Sequence, residues 1–103
     1  MNIFGSESVK RLFSAIANLK TEKECEDFFA DLCTIKEIRD MAQRLETAIL
    51  LNDGENYQAI SAKVGVSSAT ISRVSRCLNY GAGGYRAVIG DATGEKDGNE
   101  DQR

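Results

Sequence analysis

Residues 57–80, YQAISAKVGVSSATISRVSRCLNY, constrain the fold of this chain more than any other stretch. Two short runs with helical spacing flank Gly65. Ile60 and Val64 lie one turn apart before it, Ile71 and Val74 one turn apart after it, and Val66 falls between. Ala59, Ser61 and Ala62 keep the expected crossing point small. Gly65 suits a bend that needs a positive φ, because it has no Cβ to clash. Ser67 offers an oxygen to the free N–H groups that open the second helix. The pattern predicts a helix-turn-helix with the five apolar residues as its core. Ser68, Ala69, Thr70, Ser72, Arg73 and Arg76 are then left on faces the core does not use. Short polar side chains with arginine at the start of a helix suit the base edges and phosphates of a duplex.

Local charge points the same way. Residues 57–89 contain no Asp or Glu, and Lys63, Arg73, Arg76 and Arg86 give them +4. Residues 1–56 carry seven basic and eleven acidic residues, so the overall net charge of −3 conceals a polarised chain. An ordinary helical hairpin would bury the same apolar residues, and a hairpin that docks a protein partner is the second functional reading. Few bulky aromatics on the second helix speak against protein docking, since such contacts favour Trp and Tyr.

The remaining composition excludes other classes. The chain has no histidine, and its three cysteines, Cys25, Cys33 and Cys77, are widely spaced with no CxxC. This argues against a zinc site and histidine-based acid/base catalysis, and no enzyme activity is expected. The thiols are expected to be buried and reduced, in the cytoplasm. No apolar run is long enough for a membrane span, and MNIFGSESVKRLF lacks the layout of a signal peptide.

With no proline and no alternating strand pattern, the chain is expected to be all-α: one helical domain over residues 1–89. Residues 1–7 read as a loose arm. Val9, Leu12, Phe13, Ile16 and Leu19 make an amphipathic helix that frays at residues 18–20. Thr21 with Glu24, and Thr34 with Glu37, each read as a capping box. The first opens a helix bearing Cys25, Phe28, Phe29 and Leu32 on one side. The second opens the longest helix, striped by Ile38, Met41, Ala42, Leu45, Ala48 and Ile49, widened by Leu50 and Leu51, and stopped by Asn52-Asp53-Gly54. The helices of residues 8–52 are expected to pair with a second copy, because a chain this small has little area to bury alone and one helix-turn-helix makes few base contacts. Gly81-Ala82-Gly83-Gly84 ends the second hairpin helix. In residues 81–89, YRAVI reads as a short returning helix or an extended anchor, with Tyr85, Val88 and Ile89 packed and Arg86 outside. Residues 90–103, with five acids, two bases and three glycines, read as a disordered acidic tail.

Residues 34–85, TIKEIRDMAQRLETAILLNDGENYQAISAKVGVSSATISRVSRCLNYGAGGY, resemble the Trp repressor superfamily, and more closely its YerC/YecD branch. The long helix closed by a Gly-Glu turn, the A-T-I-S-R core and the L-N-Y-G-x-G-G-Y ending carry the likeness, and FFADLCT extends it. The resemblance implies an intertwined all-helical homodimer that binds specific double-stranded DNA in transcriptional control. Helix-turn-helix dimers, the Trp repressor among them, bind half-sites one helical turn apart. In the Trp repressor two arginines sandwich the indole of bound tryptophan. Arg73 matches one by its place in A-T-I-S-R. Arg44 matches the other if the intervening loop differs by one residue; without that shift Gln43 falls there. No cofactor is required, and a small planar effector held by Arg44 and Arg73 is a candidate ligand. For DNA, the expected contacts are Gln58, Lys63, Ser67, Ser68, Ala69, Thr70, Ser72, Arg73 and Arg76.

Overall fold

A computed structural model describes residues 3–90 and is helical throughout, with no strand among the described residues. A short 3-10 turn, Ile3–Gly5, precedes six helices: α1 Glu7–Ala17, α2 Glu22–Leu32, α3 Ile35–Asn52, α4 Tyr57–Val64, α5 Ser68–Tyr80 and α6 Gly84–Ile89. The described residues fall into two compact units, parted between Ile38 and Arg39 within α3. The expected tail over residues 90–103, beyond Gly90, and Met1 and Asn2 of the expected arm, lie outside the described residues.

In the first unit the helix starts follow the side chains that cap them. The Ser6 hydroxyl accepts from the Val9 amide at 3.3 Å to open α1. Thr21 accepts from the Glu24 amide at 3.0 Å, while the Glu24 carboxylate reaches past the cap to the Lys20 amide at 2.7 Å. The box at Thr34 is fully reciprocal: Thr34 Oγ1 accepts from the Glu37 amide at 3.1 Å, and Glu37 accepts from the Thr34 amide at 2.8 Å. Residues 3–5 are not the loose arm expected. Phe4 stacks on Phe13, ring centroids 5.9 Å apart, and this contact lays the 3-10 turn on α1. Phe28 meets Phe29 edge to face at 5.8 Å. No described residue of this unit is buried, and Phe4, Phe13, Leu32 and Ile35 are all exposed.

The second unit holds the core. Ala48 of α3, Ile60 of α4, and Ile71, Val74 and Leu78 of α5 are buried. Beside them Thr47 is fully buried, its hydroxyl donating to the Gln43 carbonyl at 2.8 Å, so its side-chain donor is satisfied. α3 stops where Asn52-Asp53-Gly54 predicts. The Gly54 amide bonds the Leu51 carbonyl and the Glu55 amide bonds the Leu50 carbonyl, both at 3.0 Å, the pairing of a Schellman turn. Met41 and Leu45 of the predicted α3 stripe are exposed.

Candidate nucleic-acid interface

The hairpin of α4 and α5 forms as the sequence predicts. Asn56 caps α4, accepting from the Ala59 amide at 2.8 Å. Gly65 closes it at φ 84°, ψ 31°, and its amide bonds the Ser61 carbonyl at 2.9 Å. Ser67 Oγ accepts from the Thr70 amide at 3.1 Å and donates to Thr70 Oγ1 at 3.2 Å, starting α5. Ile60, Ile71 and Val74 join the two helices through apolar burial. Three details differ from expectation. Val64 and Val66 are only half-buried, and Leu78, one turn past Val74, completes the α5 core in their place. Of the three small residues expected at the crossing, only Ala59 is half-buried; Ser61 and Ala62 are exposed. Ser61 instead donates to the Val66 carbonyl at 2.9 Å, which braces the bend.

With Ile71, Val74 and Leu78 inward, helical periodicity sends Ala69, Ser72, Arg73 and Arg76 to the opposite face. All four are exposed, as are Ser67 and Ser68 at the helix start, while Thr70 is half-buried beside its cap. Arg73 and Arg76 form no ion pair or side-chain hydrogen bond among the described residues. On α4, Gln58 and Lys63 are exposed.

The four cations of residues 57–89 are not equally available. Lys63 Nζ lies 3.1 Å from a carboxylate oxygen of Glu55, which precedes α4 and so escapes a count that begins at residue 57. Arg86, expected outside, is half-buried, and Val88, expected to pack, is 75% exposed. The reversal has a polar cause: Arg86 donates from Nη1 to Asn52 Oδ1 at 2.6 Å and from Nη2 to Asn79 Oδ1 at 3.2 Å. Both acceptors sit where helices end, and helix C-termini favour a cation. The segment is the short returning helix of the two alternatives.

Arg44 and Arg73, the pair expected to flank an effector, are exposed on α3 and α5. An open apolar groove of about 550 Å³ is lined by Leu45, Cys77, Gly81, Ala82, Tyr85 and Val88 with Gly84. Leu45 follows Arg44 and Cys77 lies one turn beyond Arg73, but neither arginine lines it. The three free cysteines are not buried as expected: Cys25 and Cys77 are exposed and Cys33 is half-buried. Cys25 and Cys33 belong to the unit that buries no described residue, and Cys77 lines the open groove. No three of the described Cys, Asp or Glu residues cluster as metal ligands, and no described helix is long and apolar enough to cross a membrane.

Two capped helices joined through a left-handed glycine, the second with a bare polar and basic face, make this a helix-turn-helix protein. The chain belongs to the Trp repressor protein family, which it matches over residues 7–93. It is 49% identical over 83 residues to the uncharacterized protein YerC of Bacillus subtilis strain 168, covering 81% of this chain and 80% of that one. Two solved structures share the fold. A TrpR-like protein from Eubacterium eligens superposes with a TM-score of 0.83 at 43% identity, covering 99% of this chain and all of the other. A candidate Trp repressor from Staphylococcus aureus gives 0.80 at 40% identity, covering 86% of this chain and 91% of that one. The family is one of helix-turn-helix DNA-binding regulators.

Proposed function

We propose that this protein is a sequence-specific double-stranded DNA-binding transcriptional repressor that acts as a homodimer in the cytoplasm, with α5 as its recognition helix. One observation carries the reading: Ala69, Ser72, Arg73 and Arg76 form an exposed face opposite the buried Ile71, Val74 and Leu78, in a stretch without an acid. Ser68, Ala69, Thr70 and Ser72 meet base edges, directly or through water. Arg73 and Arg76 engage phosphates or guanines. Gln58 and Lys63 hold the duplex backbone, Lys63 after exchanging Glu55 for phosphate. Because the face is built of small side chains, much of the selectivity comes from bridging water and duplex shape.

The dimer is supported by what the single chain leaves uncovered. The first unit buries no described residue, and Met41 and Leu45 of α3 are exposed. A second copy supplies the missing apolar cover and sets two recognition helices on adjacent half-sites. Docking of a protein partner has less support, since Tyr80 is the only aromatic of α5.

An Arg73→Ala, Arg76→Ala double variant tests the assignment. It is expected to keep its helicity, to lose duplex affinity, and to lose about 0.9 of salt slope for each phosphate contact removed. A folded double variant that binds with full affinity places the contacts elsewhere.

A further inference from the structure

Arg86 is the cation that the DNA reading does not use. Its guanidinium bonds two neutral amides, and no carboxylate bonds it among the described residues. Asn52 is the last residue of α3, and Asn79 is the next to last of α5. Each amide is engaged again on its other side. Asn79 Nδ2 donates to the Ser75 carbonyl one turn back at 3.0 Å, and Asn52 Nδ2 to the Gly90 carbonyl at 3.4 Å. A single side chain from α6 therefore ties together the ends of α3 and α5.

We propose that Arg86 is the positioning residue of the recognition helix: it fixes the tilt and roll of α5 against α3 and touches no DNA. This rests on the reading of α5 as the recognition helix. The physical need follows from the core. Ile60, Ile71 and Val74 hold α4 to α5 by apolar burial, and on α3 the buried residues are the small Ala48 and Thr47. Apolar burial is non-directional, so small side chains alone do not fix the angle of α5 to α3. A planar guanidinium that donates to two fixed oxygens is directional. The two helix C-termini supply the negative potential that holds the cation in place of a carboxylate. An anionic ligand is disfavoured at the same spot for that reason.

Three variants of the full chain separate positioning from charge and from phosphate contact. Arg86→Met keeps the stem and removes the fork. Arg86→Lys keeps the charge and removes the fork. Asn79→Ala removes the acceptor on α5 and leaves Arg86 intact; Asn79 is exposed, so this variant serves if Arg86→Met does not fold. Amide hydrogen exchange over residues 75–80 and duplex affinity against salt are the readouts. All three variants are expected to raise exchange there by about tenfold, the size set by a hydrogen bond to a charged group, with α4 unchanged. Affinity falls by a similar factor and the salt slope stays as it was. Full protection and affinity in Arg86→Lys would overturn the proposal, since charge alone would then suffice. A slope reduced by about 0.9 per site would make Arg86 a phosphate contact. Unchanged exchange in Arg86→Met or Asn79→Ala would also sink it. If the unmodified protein binds no duplex, the DNA reading fails by itself, and the exchange data still decide the bridge.

Discussion

Replacing Gly65 with alanine isolates one energetic term of the hairpin. Gly65 has φ 84°, and a Cβ built there meets nothing within 4 Å. Sterics with the rest of the protein therefore contribute nothing, and the cost is the preference of an L residue against the left-handed region, roughly 1–2 kcal/mol. Alanine also stiffens the unfolded chain, which offsets about 0.4–1 kcal/mol. The net loss is roughly 1 kcal/mol, or about 4–8 °C in Tm for a domain of this size. Thermal unfolding followed by circular dichroism, at one fixed protein concentration because a dimer's stability depends on it, measures the shift. Asparagine, which tolerates this region, should lose less than alanine. D-alanine placed at residue 65 by semisynthesis should raise Tm, because it favours positive φ and still stiffens the unfolded chain. An alanine variant as stable as the parent, or a D-alanine variant less stable than the L form, would mean that the positive φ of Gly65 does not set the cost.

Other parts of the hairpin and its surroundings give further tests. Ser67→Ala removes the cap of α5 and should cost about 1 kcal/mol in denaturant unfolding, with no change in the m-value. Glu55→Gln releases Lys63; since an exposed pair is worth under about 1 kcal/mol, duplex affinity should rise by less than about fivefold per subunit at low salt, and the gain should fade as salt is added. Leu45→Glu sets a charge on the uncovered stripe of α3 and should convert a dimer to a monomer in sedimentation equilibrium; a parent protein that is already monomeric at micromolar concentration would contradict the proposed assembly.

Local signals were legible in the sequence, and partners distant along the chain were not. Thr34 with Glu37, Ser67, Gly65 and the stop after Asn52 each act within a few residues, so their chemistry can be read where it stands. Arg86 could not be read this way. Its polarity suggests an outward side chain, but Asn52 lies 34 residues earlier, and only the folded chain shows that two helix ends meet there. Val88 is the converse case: its apolar side chain suggests packing, yet it is exposed. Phe4 reads as part of a loose arm because a short segment has no period of its own; the ring of Phe13 gives it its place. Leu78 falls outside the core that spacing about Gly65 predicts, because it lies one turn beyond the two hairpin pairs; packing in the folded chain buries it. The candidate face was legible as a set of residues. Its charge was not, because Glu55 lies outside the acid-free stretch and Arg86 turns inward.

Selection of bound fragments from a random duplex pool, at moderate salt and with excess nonspecific competitor, shows whether the protein recognises a DNA sequence as a dimer. A helix-turn-helix dimer should enrich a pseudo-palindromic site whose two halves lie about one helical turn apart, roughly 10–10.5 base pairs centre to centre. A pool that emerges without any enriched site, from protein shown to be folded, would contradict that recognition.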